Sequence, residues 1–155
     1  MSKASDIADI MQSLRRVFKA IQQYSEQVLK EFGVTGPQLW ALRTIYAEGQ
    51  LSMGALSKKM YLHNSTVSGV VDRLEAKGCV ERARDRKDRR IITISLTKQG
   101  KRLVQMTPVA AQGRLLHGLE TLSVRQVAGI RLALNKVVKM MEIEDVEATF
   151  FFSEE

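Results

Sequence analysis

The residues best suited to chemistry in this sequence are the cations between Arg82 and Leu96. Six of the nine residues from Arg82 to Arg90 are lysine or arginine, and Asp85 and Asp88 stand among them. Clustered guanidinium and ammonium groups bind polyanions, because each carries a lasting charge and several hydrogen-bond donors. The two aspartates indicate a shaped turn, in contrast to an unstructured basic tail.

The positive charge of the chain is concentrated in its middle third. The 155 residues carry a net charge of +7, to which residues 51–102 contribute +8, residues 1–50 contribute +1 and residues 103–155 contribute −2. A focused basic field within a folded region is typical of a protein that binds a polyanion such as duplex DNA.

The composition predicts a single domain over residues 1–155, with 45% hydrophobic and 26% charged residues. The sequence has neither an apolar run long enough to cross a membrane nor the apolar core of a signal peptide. We therefore expect a cytoplasmic protein without a membrane partner. The single cysteine, Cys79, excludes a Cys-rich zinc site, and we expect no metal and no cofactor. The usual phosphate-loop, zinc-protease and nucleophile-elbow motifs are missing, so we expect no catalytic residue and no enzyme.

Apolar residues at helical spacing predict the elements that hold the basic segment. Residues 7–32 form one helix, and the capping box from Thr35 to Gln38 opens a second. A short helix over Met53–Met60 and a tight turn lead to a helix that begins at Asn64, the expected N-cap, and stops at Gly78.

The spacing then changes to two. Val80 on one side of the basic turn, and Ile92, Ile94 and Leu96 on the other, predict two half-buried strands. Thr97 caps a helix that Pro108 breaks near Thr107, and a capping box from Ser123 to Gln126 opens a final helix.

This order predicts a mainly α (α+β) fold, a winged helix-turn-helix with a two-stranded β wing and long N- and C-terminal helices. Residues 35–97 form the DNA-binding region, and residues 1–34 and 98–155 form the helical dimerisation region. The apolar stripes of the end helices exceed what one small core can bury, so we expect a two-fold homodimer.

The candidate DNA contacts fall on both elements of the helix-turn-helix and on the wing. Small polar groups near a helix N-terminus suit base edges and phosphates, and Lys58 and Lys59 on the preceding helix suit the DNA backbone. The recognition-helix candidates are Asn64, Ser65, Thr66, Ser68 and Arg73. An ordinary capped surface helix is the alternative for this segment.

In the wing, Arg86 and Lys87 at the tip suit the negative potential of a minor groove. Arg82, Arg84 and Arg89 are expected to meet flanking phosphates. Asp88 and Arg90 are expected to form an ion pair that stiffens the wing. A solvated charged face is the alternative, although such a face would normally mix the two signs more evenly.

Three aromatic residues, Tyr24, Trp40 and Tyr46, are candidates for a pocket that binds an aromatic effector, with a plain core role as the alternative. Cys79 is expected to be a small buried apolar residue and not a redox sensor. The aromatic triplet Phe150–Phe152 is expected to dock on some other part of the protein.

Several segments resemble the MarR (multiple antibiotic resistance regulator) family over nearly the whole chain. They are DRKDRR at Asp85–Arg90 with IITISLTKQG ending at Gly100, PQLWALRTI at Pro37–Ile45, and STVSGVVDRLEAKG at Ser65–Gly78. The resemblance implies a two-fold dimer of winged-helix subunits, with recognition helices in successive major grooves of a pseudo-palindromic operator and wings in flanking minor grooves.

By position, the resemblance places Asn64, Ser65, Thr66 and Ser68 near bases, puts Arg86, Lys87 and Arg89 at the wing, and makes Asp88 and Arg90 a structural pair. It also implies repression that a small phenolic or carboxylate ligand relieves. Other members sense oxidation through a cysteine in the first helix, which this chain lacks. We therefore expect a dimeric, sequence-specific repressor. A sequence-nonspecific architectural DNA binder and a winged-helix protein-interaction module stay open as alternatives.

Overall fold

A computed structural model describes residues 2–108 and 111–146, and in them the helices and strands follow the order that the sequence predicts, with one added strand. The elements are α1 (Lys3–Phe32), α2 (Gly36–Glu48), β1 (Gln50–Ser52), α3 (Met53–Met60), α4 (Asn64–Ala76), β2 (Val80–Arg84), β3 (Ile92–Leu96), α5 (Lys98–Met106), α6 (Ala111–Glu120) and α7 (Val124–Met140). The mainly helical fold class with a small wing is confirmed.

The sheet is antiparallel and has the strand order β1-β3-β2. In the hairpin, Val80 pairs with Leu96 and Arg84 with Ile92, as expected for a wing. The third strand, β1, was not predicted: Leu51 pairs with Ile94 on the other edge of β3. Three residues are too short to show an alternating pattern, so only the sheet partner reveals β1 as a strand.

The predicted helix ends depend on side-chain caps. The Thr35 hydroxyl accepts from the Gln38 amide, and the Gln38 side chain accepts from the Thr35 amide, both at 3.3 Å. Ser123 and Gln126 form the same capping box at the start of α7. The interruption predicted near Thr107 is also confirmed, since α5 ends at Met106 with Thr107 as its C-cap. The sequence therefore predicted these boundaries from local chemistry.

The main core lies between α2, α3, α4, α5 and the sheet. Leu42, Leu56, Leu74 and Ile94 are fully buried there, and Val104 of α5 belongs to the same cluster. A second cluster joins the end of α1 to the start of α2 through Val28, Val34 and Leu39. The first cluster fixes α4 and the sheet against α2, α3 and α5, and the second fixes the end of α1 against the start of α2.

Three local predictions were wrong. His63, not Asn64, is the N-cap of α4, and its side chain makes no cap hydrogen bond. Ile92 is 50% exposed, because the hairpin extends beyond the core that covers Ile94 and Leu96. The first helix begins at Lys3 and not at residue 7, since Ser2 caps it.

In the described residues, no helix is both long and apolar enough to cross a membrane. The segment Phe150–Phe152, whose docking was predicted, lies outside the described residues.

Candidate nucleic-acid interface

Helix α4 is anchored by one face and offers the other. Val67, Val71 and Leu74 are fully buried and Val70 nearly so, a stripe at spacings of three and four residues. The opposite side of its first two turns carries the small polar candidates: Asn64, Ser65 and Gly69 are exposed, and Thr66 and Ser68 are half-buried. Arg73 is exposed further along the helix. The helix can therefore approach a flat partner closely at its N-terminal end.

The N-terminus of α4 has no side-chain cap among the described residues, since His63 makes no such bond. The first amide groups of a helix point outward and carry a partial positive charge, which suits a phosphate oxygen. The residue that sequence reasoning assigned as a cap, Asn64, is thus an exposed residue of the first turn.

Of the two lysines on α3, only one is in an ion pair among the described residues. Lys59 Nζ lies 2.7 Å from Glu48 Oε1. The hydrogen bond to Glu48 and the negative charge of that carboxylate raise the pKa of Lys59. Lys58 is exposed. Lys58 is therefore the better placed of the two for a DNA phosphate.

The tip of the wing is shaped by Asp85. Its Oδ1 accepts from the amides of Lys87 at 2.7 Å and Asp88 at 3.0 Å, while its own amide donates to the Ile91 carbonyl at 2.8 Å. The bonds from the Asp88 and Lys87 amides lower the pKa of Asp85. The ionised carboxylate of Asp85 therefore stabilises the turn fully at pH values above the usual aspartate pKa. This stabilisation is lost as the pH falls through the lowered pKa of Asp85.

The predicted pair at the base of the turn is present. Asp88 Oδ1 lies 3.3 Å from Arg90 Nε and also accepts from the Arg90 amide at 3.0 Å. The Arg90 side chain is 93% exposed, so the ion pair itself is weak and the backbone bonds contribute more. Arg86, Lys87 and Arg89 are exposed and make no ion pair within the described chain. The turn thus presents three free cations on a preformed loop.

Arg82 is placed differently from the other wing cations. Its guanidinium lies 2.6 Å from Asp72 Oδ1 and 2.6 Å from Glu75 Oε2, both on α4, and its side chain is only 26% exposed. The hydrogen bond to Asp72 is the largest cause of its raised pKa. Arg82 therefore joins β2 to the recognition helix, and this engagement argues against the expected phosphate contact. Arg84, two residues later, is exposed.

Replacing Arg82 with glutamine tests this reassignment. We expect Arg82→Gln to lower the free energy of unfolding by about 1 kcal/mol, because two carboxylates lose a charged donor. The salt dependence of DNA affinity should stay unchanged, whereas Arg84→Gln should reduce it without affecting stability. Urea melts and DNA titrations over a salt series measure both quantities. An equal reduction of salt dependence in the two variants would return Arg82 to the phosphate contacts.

Sequence reasoning missed Asp72 and Glu75. Their spacing of three residues puts both on one face of α4, and the sequence was sufficient to predict this. Their common partner, Arg82, could not be predicted from the sequence, because Arg82 reaches them only through the packing of β2 against α4.

The three aromatic candidates for an effector pocket have different contacts in the described structure. The Tyr24 hydroxyl donates to the Pro108 carbonyl at 3.1 Å, and the Tyr46 hydroxyl accepts from Gln105 at 3.4 Å. Trp40 packs on the main core. It also lines a cavity of about 320 Å³, together with Lys59, Tyr61 and residues of α6. Neither Tyr24 nor Tyr46 lines this cavity, and a pocket shared by the three rings stays a prediction.

Cys79 is buried, as predicted, with 2% of its surface exposed. Burial raises the pKa of its thiol, although the charge of Lys77 opposes the shift. The protonated thiol is the dominant form at neutral pH, which is the unreactive form.

Together, the anchored helix α4, the preceding helix α3 and the basic hairpin define a winged helix-turn-helix protein. A sequence model of the MarR family matches residues 32–91. The chain is 33% identical over 136 residues to the uncharacterised HTH-type transcriptional regulator YsmB of Bacillus subtilis, which covers 88% of this chain and 93% of that protein. It is also 35% identical over 94 residues to the HTH-type transcriptional repressor MdtR of the same organism, 61% of each chain.

A solved structure gives the same answer. A MarR family protein from Bacillus stearothermophilus matches with a TM-score of 0.56 at 30% sequence identity, over 92% of this chain and 99% of that one. The chain belongs to the MarR family of DNA-binding transcriptional regulators, and it is not an enzyme.

Proposed function

We propose that this chain is a homodimeric repressor that binds a pseudo-palindromic operator and leaves it when a small aromatic or carboxylate ligand binds. The observation that carries the proposal is the pairing of two different surfaces. The start of α4 offers small polar groups and free helix amides, and the wing offers Arg86, Lys87 and Arg89 on a turn that Asp85 holds in shape. The first surface suits base edges in a major groove, and the second suits the backbone and a minor groove.

A dimer accounts for the apolar surface of the end helices. Ile7, Ile10 and Phe18 of α1 are each more than half exposed. In the described part of the chain, no residue of α7 is buried, although Val127, Ile130 and Leu134 lie on it. Apolar surface of this extent is typical of an interface between subunits. We assign residues 35–97 to DNA binding, and residues 1–34 and 98–155 to the dimer.

Release follows from geometry in a dimer of this kind. Two half-sites one helical turn apart require recognition helices about 34 Å apart, so a small rotation of the subunits weakens binding to both. A ligand shifts this balance only by its preference for the state that fits DNA poorly. The name of MdtR, a repressor, supports the sign of regulation proposed here.

The deciding experiment selects duplexes from a random pool and then compares the selected duplex with a scrambled one across a salt series. We expect the selected duplex to bind at least about 1,000-fold more tightly at physiological salt, as specific regulators do. Equal affinity for both duplexes would instead identify an architectural DNA-binding protein. Failure to bind any duplex at low salt would identify a protein-interaction module. Light scattering on the free protein checks the dimer, which a monomer at micromolar concentration would contradict.

A further inference from the structure

The outer side of helix α5 carries positive charge only. Lys98, Lys101 and Arg102 lie on one side of this helix, because they are three and four residues apart, and all three are exposed. The nine residues of α5 include no aspartate or glutamate, and the other side packs on the core through Val104. None of the three cations is in an ion pair within the described chain. These three side chains form the basic face of α5, whose charge the described residues do not balance.

An apolar cavity of about 440 Å³ adjoins this basic face, where the end of α1 and the end of α4 meet α5. Phe32, Leu103 and Met106 contribute to its apolar wall, and Lys77 and Arg102 are the charged residues that line it. Met106 is 71% exposed, so part of this apolar wall is open to solvent. Exposed apolar surface beside cations complements a partner that carries both aromatic rings and carboxylates.

The chain itself contains a segment with that composition. Residues 142–155 include six acidic residues and no basic one, and Phe150–Phe152 are three of the five phenylalanines in the sequence. The three acids of this segment that lie before residue 147 are exposed and are in no ion pair within the described chain. Residues 147–155 lie outside the described residues, and nine residues reach up to about 30 Å when extended. Because the segment is tethered to the protein, it meets a docking surface at a high effective concentration.

We propose that residues 147–155 dock on this surface. The rings of Phe150–Phe152 enter the cavity against Leu103 and Met106, and the neighbouring glutamates pair with the basic face of α5. Burial of aromatic surface supplies most of the affinity, since ion pairs between exposed side chains contribute little. The charges instead select this surface over other apolar patches of the protein. The interaction goes beyond the proposed function and does not depend on operator binding.

Docking is tested in the full-length protein through the ¹³C-methyl NMR signal of Met106. Aromatic rings change the resonance frequency of a methyl group that they contact. Replacing Phe150, Phe151 and Phe152 together with serine should therefore move the Met106 signal. The methyl signal of Met60 should stay in place, since Met60 is fully buried on α3 and does not line the cavity. An unchanged Met106 signal in this triple variant would overturn the docking.

A peptide added to the triple variant separates direct contact from an indirect effect. The peptide EATFFFSEE, which is residues 147–155, should return the Met106 signal to its wild-type position in a saturable way. The peptide EATSSSSEE has the same charges without the rings, and it should bind at least about tenfold more weakly. Equal binding of the two peptides would mean general attraction of anions and would contradict the proposal, as would a Met106 signal that neither peptide moves.

Two double variants, made in the triple variant, test the basic face. Lys101→Gln with Arg102→Gln removes two of its cations and should weaken binding of EATFFFSEE about tenfold. Arg125→Gln with Arg131→Gln removes the same charge from α7 and should leave the affinity unchanged. All four side chains are exposed, so both proteins should fold. Equal affinities of the two double variants for the peptide would overturn the assignment of the acids to the basic face of α5.

Discussion

Replacing Arg86 and Arg89 together with alanine is expected to weaken operator binding by about 3 kcal/mol or more, which is over a hundredfold in affinity. Both side chains are exposed on a preformed turn and are not paired with an acid in the described chain, so their charges are available to DNA. The slope of log affinity against log salt should also fall by about 0.9 for each phosphate that the variant no longer neutralises, counted over both wings of a dimer. Titrations of a labelled operator at several salt concentrations measure both quantities.

A remote cation provides the control for net charge. Arg125 lies exposed in the first turn of α7, and Arg125→Ala should change neither affinity nor slope by a comparable amount. Stability should be unaffected in the wing variant, since Asp85 and not the arginines holds the turn. If the double variant binds as the wild type does, the wing is a solvated charged face and makes no contact with DNA.

Substitutions on α4 should give a different signature. Ser65→Ala and Thr66→Ala remove hydroxyl groups without changing charge, so we expect altered preference among operator sequences with an unchanged salt slope. The same effect from both sets of variants would contradict the division between a wing that meets the backbone and a helix that reads bases.

Replacing Gly100 with alanine is expected to destabilise the fold by about 3 kcal/mol or more, the largest stability effect that we predict. A Cβ at this position would lie 2.0 Å from the Cys79 carbonyl oxygen, far inside any permitted contact. That carbonyl accepts from the Thr97 amide at 3.1 Å, and the Thr97 hydroxyl donates to the Gly78 carbonyl at 2.6 Å. The backbone around Cys79 is therefore fixed, and urea melts of the variant should show the lower stability.

Gly54 is the matched control, because it also lies in the first turn of a helix, α3. A Cβ added there would meet nothing within 4 Å. Gly54→Ala should therefore leave stability unchanged or raise it by up to about 1 kcal/mol, through the lower chain entropy of the unfolded state. Equal stability of the two variants would mean that α5 can move away from Cys79 at little cost.

These two predictions differ in how far the sequence alone leads to them. The wing cations were found from their number and spacing, and Asp85 and Asp88 indicated a turn. Gly100 was visible only as the end of a motif, LTKQG, whose first residues predicted a capped helix. The need for glycine at this position follows from the tertiary structure, because the start of α5 lies against the backbone that follows α4.

The local chemistry of this protein was determined by its sequence. The capping boxes at Thr35 and Ser123, the break at Thr107 and the wing turn depend on residues within a few positions of one another, so a short stretch of sequence is enough to specify them. The concentration of positive charge in residues 51–102 can also be counted from the sequence alone, and it correctly indicated a DNA-binding protein.

Only the tertiary structure decided which of these charges are free and which are already paired. Arg82 and Lys59 look like their neighbours in sequence, yet Arg82 is held by Asp72 and Glu75, and Lys59 by Glu48. The pairing of β1 with β3 was decided by the tertiary structure for the same reason. Ion pairs, cavities and sheet partners depend on distances between segments far apart in the chain, and packing of the core sets those distances.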